Sequence, residues 1–284
     1  MALLSQPRKR YRFFLLGSDI KKSISPAMQN MAFKKTGYGG RYDLFQISND
    51  KFDSAMEQIQ RIDDVKGLNI TAPYKEMILP YLIRLDAQSK AIGAVNTVKI
   101  SCDGKMTGFN TDTDGIAFSL SKLGALKGSS CVILGAGGAA RACAYTVLKR
   151  RFDSLVIMNR TRDRAEKLRS DFKKLFPRAK IRIAPLSNEQ FAKEIRNCYL
   201  LINAVTSPFP IAVDFSRAPR NLKFFDLGYK KPSSILRIAR KSKIKSIDGL
   251  LMLAEQGAKS FEIWTGMKAP RKSMLLAGKR QLAN

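Results

Sequence analysis

Proton transfer to a carbonyl needs a cationic donor and a carboxylate, which this chain offers at many positions, Lys75 and Asp112 among them, and one segment could carry a bound dinucleotide, Gly135-Ala136-Gly137-Gly138-Ala139-Ala140. A lysine supplies both positive charge and a proton to an oxygen on which negative charge grows, and an aspartate accepts a hydrogen bond and holds the geometry. Taken alone, such a pair reads better as an ordinary surface ion pair, and only surrounding motifs reverse that. The glycine segment says more. It fits the G-x-G-x-x-G/A fingerprint, with the apolar run Ser130-Cys131-Val132-Ile133-Leu134 ahead of it and a helical pattern to Arg150 behind it. Gly135 would allow the tight turn, Gly137 the close approach of a pyrophosphate, and Ala140 close helix–strand packing. Free N–H groups around Gly138 and Ala139 at the helix start favour an anion there.

The next strand decides which dinucleotide. An acceptor for the ribose hydroxyls of NAD would be an acidic residue at its end. Here the strand Leu155–Met158 runs into Asn159-Arg160-Thr161-Arg162-Asp163-Arg164. Arginine stands where the acid is expected, and a planar guanidinium suits a 2′-phosphate. Arg160, with donors from Thr161 and Arg164, therefore argues for NADP. The competing reading is a solvated turn in which Thr161 caps the following helix.

Other chemistries are excluded by composition. The 284 residues include no histidine, so a Ser-His-Asp triad is ruled out. The four cysteines, Cys102, Cys131, Cys143 and Cys198, match no zinc or haem spacing, and no metal site is expected. Their number and setting imply a reducing, cytoplasmic environment without structural disulfides. No stretch approaches the roughly 18 apolar residues of a membrane helix. The net charge is +28, from 51 basic and 23 acidic side chains. It admits two readings: a solvated basic surface, or a nucleic-acid binder whose affinity would fall steeply with salt. The basic residues are scattered (Arg8–Arg10, Lys149–Arg151, Lys230-Lys231, Arg240–Lys245) and no nucleic-acid motif accompanies them, so no specific nucleic-acid partner is expected.

Stepping along the chain, strand patterns alternate with helix patterns, which predicts an α/β fold with mostly parallel sheets. Strands are expected at Arg12–Leu16, Arg41–Ile47, Gly67–Ile70 and Ala94–Ile100, with helices Ser25–Lys35, Asp50–Ile62 and Lys75–Leu85 between them. Ser25-Pro26 suits a helix start, serine as cap and proline in the first turn. Beyond a helix from Asp112 to Leu123, the strands Ser130–Leu134, Leu155–Met158, Lys180–Ile183, Leu200–Ala204, Lys223–Leu227 and Ile244–Ile247 follow. Amphipathic helices close the chain over Leu250–Trp264 and Ser273–Leu282. Residues 1–10 read as a loose extension, and 124–129 as a loop.

Several further segments, taken in order, resemble the shikimate dehydrogenase family. Ser23-Ile24-Ser25-Pro26 looks like its S-x-S-P loop, and Asn69-Ile70-Thr71-Ala72-Pro73-Tyr74-Lys75 like its N-[VI]-T-x-P-[FY]-K motif. Gly93-Ala94-Val95-Asn96-Thr97, Gly108-Phe109-Asn110-Thr111-Asp112 and Asn159-Arg160-Thr161 match three more. Asp248-Gly249, Met252, Gln256 and Trp264-Thr265-Gly266 follow its closing pattern. The resemblance implies a cytoplasmic oxidoreductase that reduces 3-dehydroshikimate to shikimate with NADPH, in aromatic amino-acid (chorismate) biosynthesis. It implies Lys75 and Asp112 as catalytic pair, and Ser23, Ser25, Thr71, Asn96, Tyr229 and Gln256 as substrate-binding residues. Gly135, Ala136, Gly137, Gly138, Ala139, Asn159, Arg160, Thr161, Arg164 and Gly249 would hold NADP. It further implies two domains with a cleft between them: residues 1–111 with 250–284 for substrate and catalysis, and the Rossmann-like residues 112–249 for NADP, in a monomer or homodimer. Relatives using quinate or aminoshikimate, and an NADP sensor without turnover, are alternatives. Departures from the pattern are Lys22 before the first serine, Val205 in Asn203-Ala204-Val205-Thr206, no glycine in Ser207–Pro210, and Asp226-Leu227-Gly228-Tyr229-Lys230-Lys231-Pro232. They spare Lys75 and Asp112.

Overall fold

The computed structural model describes residues 11–125, 130–205 and 213–283. The expected extension at 1–10 and the Thr206–Pro210 departure lie outside them. Strands and helices alternate: β1 (Tyr11–Gly17), α1 (Ser25–Thr36), β2 (Gly40–Gln46), α2 (Phe52–Gln60), β3 (Val65–Ile70), β4 (Arg84–Leu85), α3 (Ala87–Ile92), β5 (Thr97–Ile100) and β6 (Met106–Phe109). There follow α4 (Asp112–Leu123), β7 (Ser130–Leu134), α5 (Gly138–Lys149), β8 (Ser154–Asn159), α6 (Arg162–Leu175), β9 (Lys180–Pro185) and α7 (Asn188–Glu194). The chain ends with β10 (Leu200–Asn203), β11 (Lys223–Asp226), α8 (Ser234–Lys241), β12 (Lys245–Ile247), α9 (Leu250–Thr265) and α10 (Arg271–Ala283).

Two compact units result, 1–111 with 254–284, and 112–253. The sequence puts the second crossing at 249/250. It falls one turn into α9 instead, because Met252 packs into the core of the second unit with Ile116, Leu120 and Ala140.

In the first unit the sheet order is β2-β1-β3-β5-β6-β4. The sequence predicts mostly parallel pairing, and β2-β1-β3 is parallel, but β5 runs antiparallel to both β3 and β6. The cause is local. Residues Ser101–Lys105 form a tight connection, with Gly104 at φ 76° after Asp103, and an Asp-Gly turn sends the chain straight back as β6. The expected helix Lys75–Leu85 is absent. Turns and a short 3₁₀ segment around Pro80 replace it before β4, since proline offers no N–H and restrains its predecessor. Alternation along β1 splits the core: Leu16 joins Phe52, Met56 and Tyr74 under α2, while Phe13 stacks on Phe33 of α1 at 4.9 Å and meets Trp264 of α9 at 5.0 Å. The Trp264 indole N–H, buried with the ring, donates to the Val98 carbonyl at 2.9 Å.

The second unit is a six-stranded parallel sheet, order β12-β11-β10-β7-β8-β9. Counted from its own first strand, this is the doubly wound order of dinucleotide-binding folds, reversing between β7 and β10. Its strands are apolar on both faces because both are covered. Cys131, Ile133, Leu155 and Ile157 face α4, α5 and α6. Val132, Leu134, Val156 and Met158 face α7 and α8.

Candidate active site

The glycine turn lies at the C-terminal end of β7, beside the point where strand order reverses. Gly135 adopts φ 109°, open to glycine alone without strain, and its N–H donates to the Met158 carbonyl at 2.8 Å. Gly137 stands at the N-cap of α5, and a Cβ built there meets nothing within 4 Å. An anion can therefore approach this backbone closely. The first turn of α5 contains no acidic residue that would repel it.

At the end of neighbouring β8, Arg160, Thr161 and Arg164 are exposed, and the Asn159 side-chain amide donates to the Thr161 carbonyl at 2.7 Å. Thr161 occupies the N-cap of α6, yet its hydroxyl makes no capping bond. The capping role that competes with cofactor binding in the sequence is not taken up. These residues fit a dinucleotide with a ribose phosphate: an open glycine cradle, a helix start, and exposed guanidinium groups in place of a carboxylate.

Gly249 has a different local reason. A Cβ there would lie 2.1 Å from the Leu227 carbonyl oxygen, so the residue must be glycine for α9 to start against the β11 loop. Its N–H donates to the Gly228 carbonyl at 2.9 Å, next to half-buried Tyr229. Below this loop Asp226 is 1% exposed; its Oδ1 accepts from the Asn203 amide at 3.0 Å and from the Gly228 N–H at 3.1 Å. Asn203 and Asp226 are register partners on β10 and β11. That pairing joins two strand ends, and the sequence did not single it out.

In the first unit the predicted substrate residues fall into small groups. Asn96 and Gln256 come together although 160 positions apart, the Asn96 amide donating to Gln256 Oε1 at 3.3 Å and to Thr111 Oγ1 at 3.0 Å. The Thr111 N–H and the Thr97 hydroxyl donate to Asn96 Oδ1 at 2.8 and 3.0 Å. The cluster extends to residues that the sequence reading left without a role. The Asn69 amide donates to Thr97 Oγ1 at 3.1 Å and Ser260 Oγ at 3.0 Å, and Asn69 Oδ1 accepts from the Tyr42 hydroxyl at 2.8 Å. Ser260 had a legible signal, since it lies four residues after Gln256 and so on the same face of α9.

Lys75 sits in the turn after β3, and its carbonyl accepts from the Val95 N–H at 2.8 Å. That bond ties the Lys75 turn to the residue preceding Asn96. Thr71 opens the same turn, its N–H donating to the Leu16 carbonyl at 2.9 Å. Ser23 and Ser25 are adjacent, hydroxyl to hydroxyl at 3.2 Å. The cap position of α1 is Ile24, with Ser25 just inside the helix, so the expected serine cap does not form. Asp112 is the first residue of α4 and 3% exposed. It belongs to the second unit and Lys75 to the first.

The buried cysteines Cys131 and Cys198 offer no nucleophile. Burial pushes the Cys198 thiol up to about 12 and raises that of Cys131 as well. Among the described residues no group of acids and cysteines could hold a metal ion, and no helix is long and apolar enough to cross a membrane.

Fold and site together define an α/β protein with a Rossmann-type unit for a phosphorylated dinucleotide and a second α/β unit lined with neutral hydrogen-bonding groups. Comparison with known proteins narrows the class. Residues 15–98 match the shikimate dehydrogenase substrate binding domain, 118–228 the shikimate / quinate 5-dehydrogenase family, and 249–275 the shikimate 5'-dehydrogenase C-terminal domain. The NADP(+) shikimate dehydrogenase of Methanopyrus kandleri is 36% identical over 269 residues, 92% of each chain. The structure of shikimate 5-dehydrogenase from Thermus thermophilus with NADP(H) and shikimate superposes with a TM-score of 0.81 at 32% identity, covering 95% of this chain and 99% of that one. Quinate dehydrogenase from Corynebacterium glutamicum with NAD gives 0.85 at 25% identity, over 95% and 99%. The chain belongs to the shikimate dehydrogenase family.

Proposed function

We propose that this chain is an NADP-dependent oxidoreductase that reversibly reduces 3-dehydroshikimate to shikimate, in aromatic amino-acid biosynthesis. The observation that carries the reading is the Asn96–Thr111–Gln256 cluster, held beside the turn that presents Lys75. A ring bearing several hydroxyls needs neutral donors and acceptors at fixed positions. Thr71, Asn96 and Gln256 hold those hydroxyls in this reading, Ser23 and Ser25 donate to the carboxylate, and Tyr229 adds a further contact.

NADPH, when bound, supplies the hydride that reaches the carbonyl carbon. As the C=O bond becomes C–O–H, negative charge gathers on oxygen and a proton must arrive there. The Lys75 ammonium stabilises that charge and delivers the proton, and Asp112 accepts a hydrogen bond from the lysine or from a substrate hydroxyl. Gly135, Ala136, Gly137, Gly138 and Ala139 would hold the pyrophosphate. Asn159, Arg160, Thr161 and Arg164 would hold the phosphorylated ribose, and Gly249 would supply backbone. We place the enzyme in the cytoplasm as a monomer or homodimer, without sequence-specific nucleic-acid binding. Reducing conditions there suit the buried thiols of Cys131, Cys143 and Cys198.

Isotope transfer tests the reaction. With NADPH deuterated at the transferable position and 3-dehydroshikimate, the expected product is shikimate carrying one deuterium. Unlabelled product, or none from folded protein, contradicts the reading; reduction of 3-dehydroquinate in preference to 3-dehydroshikimate would move the assignment to a quinate enzyme.

A further inference from the structure

The basic residues that look scattered in the sequence are gathered by the topology of the second unit. All six of its strands run parallel, so their starts share one edge of the sheet. The Gly135 turn and Arg160 occupy the opposite edge. An exposed cation stands ahead of every strand: Lys122 before β7, Arg151 before β8, Arg178 before β9, Arg196 before β10, Arg220 before β11 and Lys243 before β12. None of these six forms an ion pair among the described residues. The acids nearby do little to offset them: Glu194 is buried and already accepts from Arg182 at 2.8 Å, which leaves exposed Asp153.

Helix ends alone do not explain this row. Cations favour helix C-termini, and that covers Lys122, Arg151, Arg196 and Lys243. Arg178 lies three residues past the end of α6, and Arg220 follows no helix among the described residues. Arg151 and Lys243, moreover, hold left-handed backbone at φ 59° and 56°, where glycine would be unstrained. The cost of that conformation exceeds what an exposed charge gains from a helix end, yet both positions keep a cation.

We propose that this edge docks the phosphate backbone of a nucleic acid, without reading its bases. One cation per strand at the usual strand spacing makes a row about 24 Å long, most of a helical turn of duplex. A row of cations of that length complements a repeating phosphate charge. Half-buried Tyr199 lies on the same edge and holds the Lys223 ammonium 4.2 Å over its ring, which fixes a further positive charge there. The docking surface lies at the sheet edge opposite the Gly135 turn and Arg160 and does not depend on which substrate the enzyme turns over.

The test is fluorescence anisotropy of the full chain with a labelled mixed-sequence duplex, between about 50 and 200 mM salt. The edge variant Arg178→Gln/Arg196→Gln/Arg220→Gln is compared with Lys34→Gln/Lys35→Gln/Lys279→Gln, which removes the same charge from exposed sites of the first unit. The edge variant should bind at least about tenfold more weakly, with a salt slope shallower by about 2–3, while the control changes less than about twofold. Folding of both variants is checked by their melting temperature and dehydrogenase turnover, expected to match the parent. Equal weakening in the two variants, no binding by the parent at about 100 mM salt, or equal affinity for polyglutamate of matching charge would each overturn the proposal.

Discussion

At the scale of single residues, two cations divide the work: Lys75 serves the reacting oxygen and Arg160 the cofactor phosphate. Lys75→Ala removes the proton donor and the charge that steadies the developing alkoxide. Turnover should fall by about 10²–10⁴-fold with the melting temperature nearly unchanged; equal turnover would remove Lys75 from the mechanism. Arg160 carries the choice of dinucleotide. Arg160→Ala should raise KM for NADP by about 10–100-fold, the worth of a charge-assisted contact to phosphate, and leave KM for NAD nearly unmoved. Measuring both constants on one preparation separates this from general damage, and an unchanged NADP-to-NAD ratio would contradict it. Gly249 belongs at this scale too. Gly249→Ala puts a methyl 2.1 Å from the Leu227 carbonyl, so stability should drop by about 1–3 kcal/mol in denaturant titration.

At the scale of elements, legibility followed the range of the forces involved. The nucleotide unit was readable because its strands are short apolar runs, each flanked by a helix signal, and the glycine turn marks where they begin. The first unit was less so. The Lys75–Leu85 stretch carries Ile78 and Leu82 at helical spacing from Tyr74 just ahead of it, but Pro80 breaks the ladder. The strand β6 is four residues long and follows the Asp103-Gly104 turn, too short to show a period of its own. Long-range polar pairing was invisible for a different reason: nothing local in Asn69, Thr97 or Ser260 says that they meet.

A prediction about pH belongs to the α9–α10 pair. Arg271 donates through Nη1 and Nη2 to Glu262 at 2.6 and 3.2 Å, and through Nε to Glu255 at 2.8 Å. Burial raises the Glu262 carboxyl, but the Arg271 guanidinium and the Ala269 N–H outweigh it and hold it below its ordinary 4.5. The folded carboxylate thus binds its proton less tightly than the unfolded chain does. Its contribution is fully present above 4.5 and is lost as pH falls through the lowered folded value. Arg271→Ala should cost about 1 kcal/mol near neutral pH, a modest figure because both side chains retain solvent contact. The gap between variant and parent should narrow in acid; a gap unchanged below 4.5 would show that the charge on Glu262 contributes nothing to it.

At the scale of the whole molecule, order along the chain was informative where composition was not. A net charge of +28 says nothing about fold, and the sequence reading found no single basic stripe in it. Parallel strands bring separated residues to one edge, a property of topology that no window of sequence contains. The ordered motifs behaved in the opposite way, since Lys75, Asn96, Asp112, Arg160 and Gln256 are each unremarkable alone and informative in series.

The central claim is that this chain moves a hydride between NADP and shikimate. Steady-state oxidation of shikimate, followed by NADPH absorbance with NADP and NAD offered separately, tests it most directly. Turnover is expected with shikimate and NADP, with a much lower kcat/KM for NAD. Silence with both dinucleotides from demonstrably folded protein, or a preference for NAD, would contradict it.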